Sequence, residues 1–409
     1  MRSIVFEFTK PKYALSKAFG KVAPSLYYGA PSPLKLVEIE EPSLRGDDWL
    51  KVSPTYSGIC GSDLGVILGK TSPALSPFNS FPMYLGHEIL GVVTEVGKSV
   101  TNVQVGDRVA IDPYISCVVR GRDELCESCR RGNQALCRYK GGDENFGPGM
   151  ILGYNNELIG GWSESIVIHE SMVIPVPDFI SDYVAAMIEP LSVGLHGVLR
   201  KTPQTDDRVL VIGGGTIAYT IIAALKLLNV DCEITHLSRY SHQQAMGAEL
   251  GVDHAFVRRE DVEKHMLTFN ETRKHKPILG KEVYSGGFDV VYDCVGSQQS
   301  IDNALRMTRA GGHFVLVGGA GQIFLLDWSF VWANELSIIG THGYSLKEKW
   351  QGKEMTTQEI LFHLIEQQPN YPLEKLVTHE FALEEYKEAI IANINSKQYK
   401  SIKTLFKIN

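Results

Sequence analysis

The sequence predicts an α/β protein in two parts, a compact β-rich part and a doubly wound parallel sheet. Three observations predict it. Short apolar runs broken by glycine and proline turns fill residues 49–111, as in Gly91-Val92-Val93-Thr94-Glu95-Val96-Gly97. From Arg208 onward the pattern changes to strand, glycine turn, helix, strand. Two later apolar runs, 288–296 and 312–319, end in glycine, as strands do when their carboxyl ends face a ligand crevice.

Length and charge bound the function. A chain of 409 residues can bury two cores, and 44% hydrophobic with 21% charged residues is a soluble, globular composition. A formal charge of −7 disfavours nucleic-acid or anionic-membrane surfaces. No apolar run reaches the length of a membrane span, and the start lacks the pattern of a signal peptide. We therefore expect a cytoplasmic protein with a small-molecule substrate and no nucleic-acid or membrane partner. An odd count of seven cysteines there argues for metal and free thiols over disulfides.

In chain order, residues 13–33 read as an N-terminal elaboration to which the sequence attaches no function. Gly58-Ile59-Cys60-Gly61-Ser62-Asp63 offers a thiolate in a glycine-flanked turn, and Gly86-His87-Glu88 an imidazole and a carboxylate after a second one. Residues 117–137 form a cysteine lobe, Cys117 followed by Cys126-x2-Cys129-x7-Cys137. Four thiolates complete a closed tetrahedral zinc site that cross-links a loop poor in apolar residues. Cys117 stands furthest from the motif, and chance free cysteines are the alternative.

Ser181 caps an expected helix from Asp182 to Ile188, and a second helix is expected from Leu191 to Leu199. Glu189 precedes Pro190 and is expected at the break between them. Cys60, His87 and one or both of Glu88 and Glu189 then supply an open zinc site of sulfur, nitrogen and oxygen donors.

The strand from Arg208 runs into Gly213-Gly214-Gly215-Thr216-Ile217-Ala218, and Ile217 to Leu228 reads as a helix. Glycines there let backbone N–H groups approach a pyrophosphate at the helix N-terminus. Gly213, Gly215, Thr216 and Ile217 are the expected cradle, with Cys294, Val295, Val317 and Gly318 at the ends of the later strands. The second strand ends Thr235-His236-Leu237-Ser238-Arg239-Tyr240 without the carboxylate that holds a ribose 2′-hydroxyl. Ser238 and Arg239 instead suit a 2′-phosphate, so NADP(H) is favoured over NAD(H). Residues 257–285 read as a polar insertion. The remaining histidines His196, His236, His313 and His342 read as polar packing groups, and Tyr114 as packing or pocket wall.

Taken together, these motifs resemble the zinc-dependent medium-chain dehydrogenase/reductase family, the group of alcohol, polyol and threonine dehydrogenases. The resemblance covers nearly the whole chain. It implies a GroES-like catalytic domain over residues 1–190, a Rossmann cofactor domain over 191–343, a segment 344–409 returning to the first domain, and a zinc in the cleft between domains. By position, Cys60 and His87 are catalytic zinc ligands, with Glu88 bound directly or supporting them. Glu189 takes the place of a ligand that is cysteine in typical alcohol dehydrogenases. Ser62 matches the hydroxyl that takes the substrate proton, and the histidine that often follows is missing from Asp63-Leu64-Gly65. The implied activity is hydride transfer between a nicotinamide and an alcohol or carbonyl, by a homodimer or homotetramer. The alternatives are a reductase of an activated C=C or C=N bond and a non-enzymatic cofactor-binding protein.

Overall fold

The computed structural model describes residues 1–409, and its contacts divide the chain into two compact units. The first contains Met1–Glu189, Ser345–Ile360 and Val377–Asn409; the second contains Pro190–Tyr344 and Leu361–Leu376.

The first unit is built on a seven-stranded sheet. Its order is Val377–Ala382, Lys403–Lys407, Trp49–Gly58, Ile89–Val96, Arg108–Ile111 and Val173–Pro175, with Ile166–His169 paired to Trp49–Gly58. The long strand Trp49–Gly58 alternates buried and part-buried positions, the period expected of a sheet with one face on the core. Its partner Ile89–Val96 is antiparallel, so the turns carrying Cys60 and His87 lie at one end of the same pair. A smaller sheet, Leu34–Glu38, Arg2–Phe6 and Met83–Tyr84, closes the other side, with Ile4, Phe6, Ile59, Leu85, Trp162 and Phe406 in one core behind the motifs. Trp162 is fully buried, meets Phe406 edge-on at 5.1 Å and donates its indole N–H to the Gly58 carbonyl at 3.0 Å. Residues 13–33, read only as an elaboration, carry most of the helix Lys10–Phe19 and the short helix Ser25–Tyr28.

The second unit is a six-stranded parallel sheet ordered His254–Phe256, Glu233–Leu237, Arg208–Ile212, Phe288–Asp293, Thr308–Leu316 and Ser337–Gly340. The chain works outward in one direction, then restarts beside Arg208–Ile212 and works outward in the other. That reversal is the switch point at which doubly wound sheets bind ligands. The central strands are almost wholly buried, as parallel strands covered on both faces are. The polar insertion 257–285 is partly ordered, as the helix Arg259–Met266 and a hairpin of Arg273–His275 with Val283–Ser285.

Two expectations are corrected. Residues 344–409 do not return to the first unit as one piece. Leu361–Leu376 packs with the second, where Gln368 donates to the Leu227 carbonyl, Tyr371 to the Leu250 carbonyl, and Lys375 pairs with Glu249. Nor does Glu189 lie at a break. The short helix Asp182–Ala185 ends early, and the next runs Ile188–Arg200 with Glu189 and Pro190 in its first turn. A proline there breaks no hydrogen bond, because first-turn N–H groups have no helical partner. No helix is long and apolar enough to cross a membrane.

Candidate active site and cofactor cradle

Cys60 caps the helix Gly61–Ile67 and brings its sulfur to the end of the central strand. His87 is aimed by Gly86, whose φ of +95° is a left-handed value suited to glycine, and a Cβ there would strike the Trp162 ring. Donor atoms of Cys60, His87 and Glu88 all lie within 4.8 Å of one another. One sulfur, one imidazole nitrogen and one carboxylate oxygen at that spacing suit a divalent zinc with a further position open.

Three side chains that sequence reasoning left without a role organise this cluster. Asp63, fully buried, accepts from the Cys60 backbone N–H at 2.9 Å and from the Tyr154 hydroxyl at 3.0 Å. Its Oδ1 is 3.4 Å from His87 Nδ1, which finds no directed hydrogen bond within the chain. Burial opposes charge on His87, but Asp63 and Cys60 outweigh it and hold the imidazole well above its ordinary pKa. Lys403, from the last strand, is fully buried and ion-paired to Glu88, and it also donates to the Ile59 carbonyl at 3.3 Å. A Cβ on Gly58 would collide with both members of this pair. Asp63 was visible in the sequence beside Cys60; Lys403, 315 residues from Glu88, carried no local signal.

Glu189 is buried, and its donor atoms are not part of the converging three. Burial pushes its carboxyl up to about 8; Glu88 and Asp112 raise it further while His87 and Lys403 oppose them. Glu189 thus borders the cluster. Tyr114 is buried at the same border, its phenol pushed up by burial and then by Glu189 and Asp112. Ser62 lies exposed in the first turn of its helix.

In the lobe, Cys117, Cys126, Cys129 and Cys137 converge within 4.8 Å, so Cys117 does join the motif despite its distance in sequence. Cys117 and Cys137 sulfurs are 3.7 Å apart, close to the edge of about 3.8 Å that zinc–sulfur bonds of about 2.3 Å make in a tetrahedron. Backbone N–H groups of Cys126 and Arg138 point at the Cys117 and Cys126 sulfurs, at 3.3 and 3.4 Å, as they would at thiolates. The four pKa values diverge: contact with Cys129 first drives Cys137 down to about 5, while burial first drives Cys117 up to about 11. Thiols this close cannot all ionise without a cation among them. The donor set fits a closed zinc site.

In the second unit, Gly213 turns at φ +140° out of Arg208–Ile212, and a Cβ on it would crowd Cys294 and Val295. The fold thus brings the glycine turn beside Cys294 and Val295, and Val317 and Gly318 donate to the Asp293 carbonyl at 3.0 and 2.8 Å. Gly215 caps the twelve-residue helix Thr216–Leu227, and a Cβ there would meet nothing within 4 Å. Thr216 and Ile217 form its first turn. Open space at a helix N-terminus fits a pyrophosphate. Gln243, not foreseen, and His236, expected as a polar packing group, brace this turn. The Gln243 amide donates to the Gly214 carbonyl at 2.8 Å and accepts from the Arg239 and Tyr240 N–H groups at 3.1 Å each. His236 Nε2 is 2.6 Å from the Gly213 carbonyl. Ser238 is buried with its hydroxyl 3.4 Å from the Phe256 carbonyl, and Arg239 is exposed with its guanidinium 5.4 Å from the Tyr240 ring.

Known proteins now bear on these sites. The family described as "Alcohol dehydrogenase GroES-like domain" matches residues 46–178, and "Zinc-binding dehydrogenase" matches 216–357. L-idonate 5-dehydrogenase of Vitis vinifera is 31% identical over 312 residues, 76% of this chain and 77% of that protein. The chain belongs to the zinc-dependent medium-chain dehydrogenase/reductase family. The sorbitol dehydrogenase of Arabidopsis thaliana is 27% identical over 92% of each chain. The crystal structure of 2R,3R-butanediol dehydrogenase from Bacillus subtilis superposes with a TM-score of 0.69 at 25% identity, covering 92% of this chain and 96% of that one. As a member of this family the protein is an oxidoreductase of GroES-like and Rossmann architecture, using zinc and a nicotinamide to move a hydride between an alcohol and a carbonyl.

Two predictions follow from charge and burial. Replacing one partner of Lys403–Glu88 strands the other, at about 3–5 kcal/mol. Denaturant melts of Lys403→Met and Glu88→Gln should each show that loss, and the double variant should recover most of it. Losses that simply add would mean the pair is not coupled.

The second concerns His236. Burial lowers its pKa from 6.5 to about 4, and Nδ1 finds no partner to relieve it. The folded value lies below the unfolded one, so the unfolded chain takes up the proton first as pH falls. Stability from this group is complete above pH 6.5 and declines towards pH 4, by about 3 kcal/mol over the window. Urea melts of the parent and His236→Asn across that range should show a shallower slope in the variant. Equal slopes would exclude His236 as the source.

Proposed function

We propose that the chain oxidises a small polyol or other secondary alcohol, or reduces the matching ketone, at Cys60, His87 and Glu88, with NADP(H) as the preferred cofactor. The observation that carries this reading is the convergence of three unlike donors in a buried setting. We assign zinc to those three side chains, with Glu189 bordering the open position, and a second zinc to Cys117, Cys126, Cys129 and Cys137. The substrate class rests on the names of the relatives, which act on sorbitol, idonate and butanediol.

When bound, the zinc supplies Lewis acidity to the substrate oxygen and the nicotinamide takes or gives the hydride. The chain's own residues do the rest. Asp63 fixes the Cys60 backbone and lies against His87, holding both donors in place. Lys403 occupies Glu88 Oε2 and orients that carboxylate, which has a second oxygen to offer. Ser62 Oγ accepts the hydroxyl proton and, being exposed, releases it to water without a histidine relay. Gly213, Gly215 and Thr216 hold the pyrophosphate, and Cys294, Val295, Val317 and Gly318 line the crevice beyond it. We also propose a cytoplasmic homo-oligomer. Seven free cysteines suit a reducing compartment. The outer strand Ser337–Gly340 is paired on one side only, and the segment before it exposes Trp328 and Trp332, which suits a second copy.

The test separates the two metal roles. Zinc analysis should find about two equivalents at these two sites, the lobe's retained longest against chelator. Cys60→Ala should abolish turnover and lose one equivalent while the chain stays folded, with a smaller drop in melting temperature than Cys129→Ser. Full turnover in Cys60→Ala would remove this centre from the reaction.

For the cofactor, Arg239 offers the 2′-phosphate a charge-assisted contact of about 1.5–3 kcal/mol, at least a tenfold preference. No carboxylate occurs from Thr235 to Ala248 to repel that phosphate. The ratio of kcat/KM for NADP(H) over NAD(H) should exceed ten in the parent and fall at least tenfold in Arg239→Ala. A parent preferring NAD(H) would refute the assignment.

A further inference from the structure

A third cluster of metal-binding side chains lies in the second unit, at the edge of the parallel sheet opposite the glycine turn. Glu233 opens the strand Glu233–Leu237, His254 opens the neighbouring strand His254–Phe256, and His265 lies in the last turn of the helix Arg259–Met266. The parallel register pairs Thr235 with His254, which sets Glu233 and His254 together at the amino ends of their strands. The helix brings His265 over both.

Glu233 Oε1 is 3.0 Å from His265 Nε2 and 3.3 Å from His254 Nε2. The two imidazole centroids are 4.0 Å apart, and one donor atom from each of the three residues lies within 4.8 Å of the others. Zinc–nitrogen and zinc–oxygen bonds of about 2.0–2.2 Å place tetrahedral ligands about 3.3–3.5 Å apart. The two measured edges sit at or just under that spacing.

One imidazole on a carboxylate is an ordinary ion pair. Two imidazoles converging on one carboxylate oxygen are more than a single ion pair needs. Two imidazoles and one carboxylate are the donors a borderline divalent cation takes. Aromatic rings fix His265 in place, Phe269 edge-on at 5.2 Å and Phe256 tilted at 5.7 Å. Arg208, whose guanidinium lies 4.2 Å over the Phe269 ring, is the opposing charge beside His265. The nearby Lys264 is turned to Asp261. The Glu233 and His254 side chains are 37% and 41% exposed, which leaves a fourth position to water.

We propose that Glu233, His254 and His265 form a third divalent-metal site, for zinc or a zinc-like ion, that clamps the helix Arg259–Met266 to the outer edge of the sheet. The dinucleotide turn leaves the carboxyl ends of these strands, so an ion at their amino ends is structural or regulatory and takes no part in hydride transfer.

Zinc is the probe. The full-length protein, its Glu233→Gln variant and its His254→Ala variant are equilibrated with zinc, desalted and assayed for metal per chain. The parent should hold one equivalent more than either variant, whatever the occupancy of the cysteine lobe and the Cys60 centre. Equal metal in all three overturns the site. A second measurement needs no variant: copper(II) added to the zinc-loaded parent should give a paramagnetic resonance signal coupled to two imidazole nitrogens. A signal coupled to one nitrogen or none overturns it as well.

Discussion

The buried ion pair between Lys403 and Glu88 is the constraint on which the catalytic unit depends. Neither charge reaches water, so each needs the other. Glu88 follows His87 directly, and Lys403 opens the strand that pairs with Trp49–Gly58. One interaction therefore ties the last strand of the chain to the loop that presents the imidazole. The first unit is not electrostatically complete until residue 403 has been made. Gly58 shows how tightly the pair is enclosed, because any side chain there would displace it.

That pair also explains why the pocket suits a cation. Asp63, Glu88, Asp112 and Glu189 are all buried around Cys60 and His87, and Lys403 opposes Glu88 and Glu189. Asp63 and Cys60 drive His87 towards its protonated form, while burial first, and then Glu88 and Asp112, drive Glu189 towards its neutral one. A divalent ion relieves both strains at once. The cysteine lobe repeats the logic with four thiols, whose pKa values split apart through mutual contact and burial.

Much of this was legible in the sequence because it was local. The glycine turn after Arg208–Ile212, the Cys126-x2-Cys129 pair and Gly86-His87-Glu88 each need only a few consecutive residues. Burial runs and turn residues then gave the sheet types. What escaped depended on long-range packing. Lys403 carried no signal, and Asp63 stood out only for not being a histidine. Their roles appear only once strands far apart in sequence become neighbours. The helix boundary at Glu189 failed for a different reason: a proline was read as a break where it occupied a first turn. The return of the C-terminal segment was too simple, because Leu361–Leu376 finds its hydrogen-bond partners on the second unit.

Cys60, His87 and a Glu88 held by Lys403 are proposed as the metal centre, with Glu189 beside it. Crystal diffraction recorded at the zinc absorption edge tests this most directly. The account predicts an anomalous peak bonded to Cys60, His87 and Glu88, with the carboxylate oxygen at about 2.0–2.2 Å and Lys403 still paired to it. A peak bonded to Glu189 in place of Glu88, or no peak between Cys60 and His87, would contradict it.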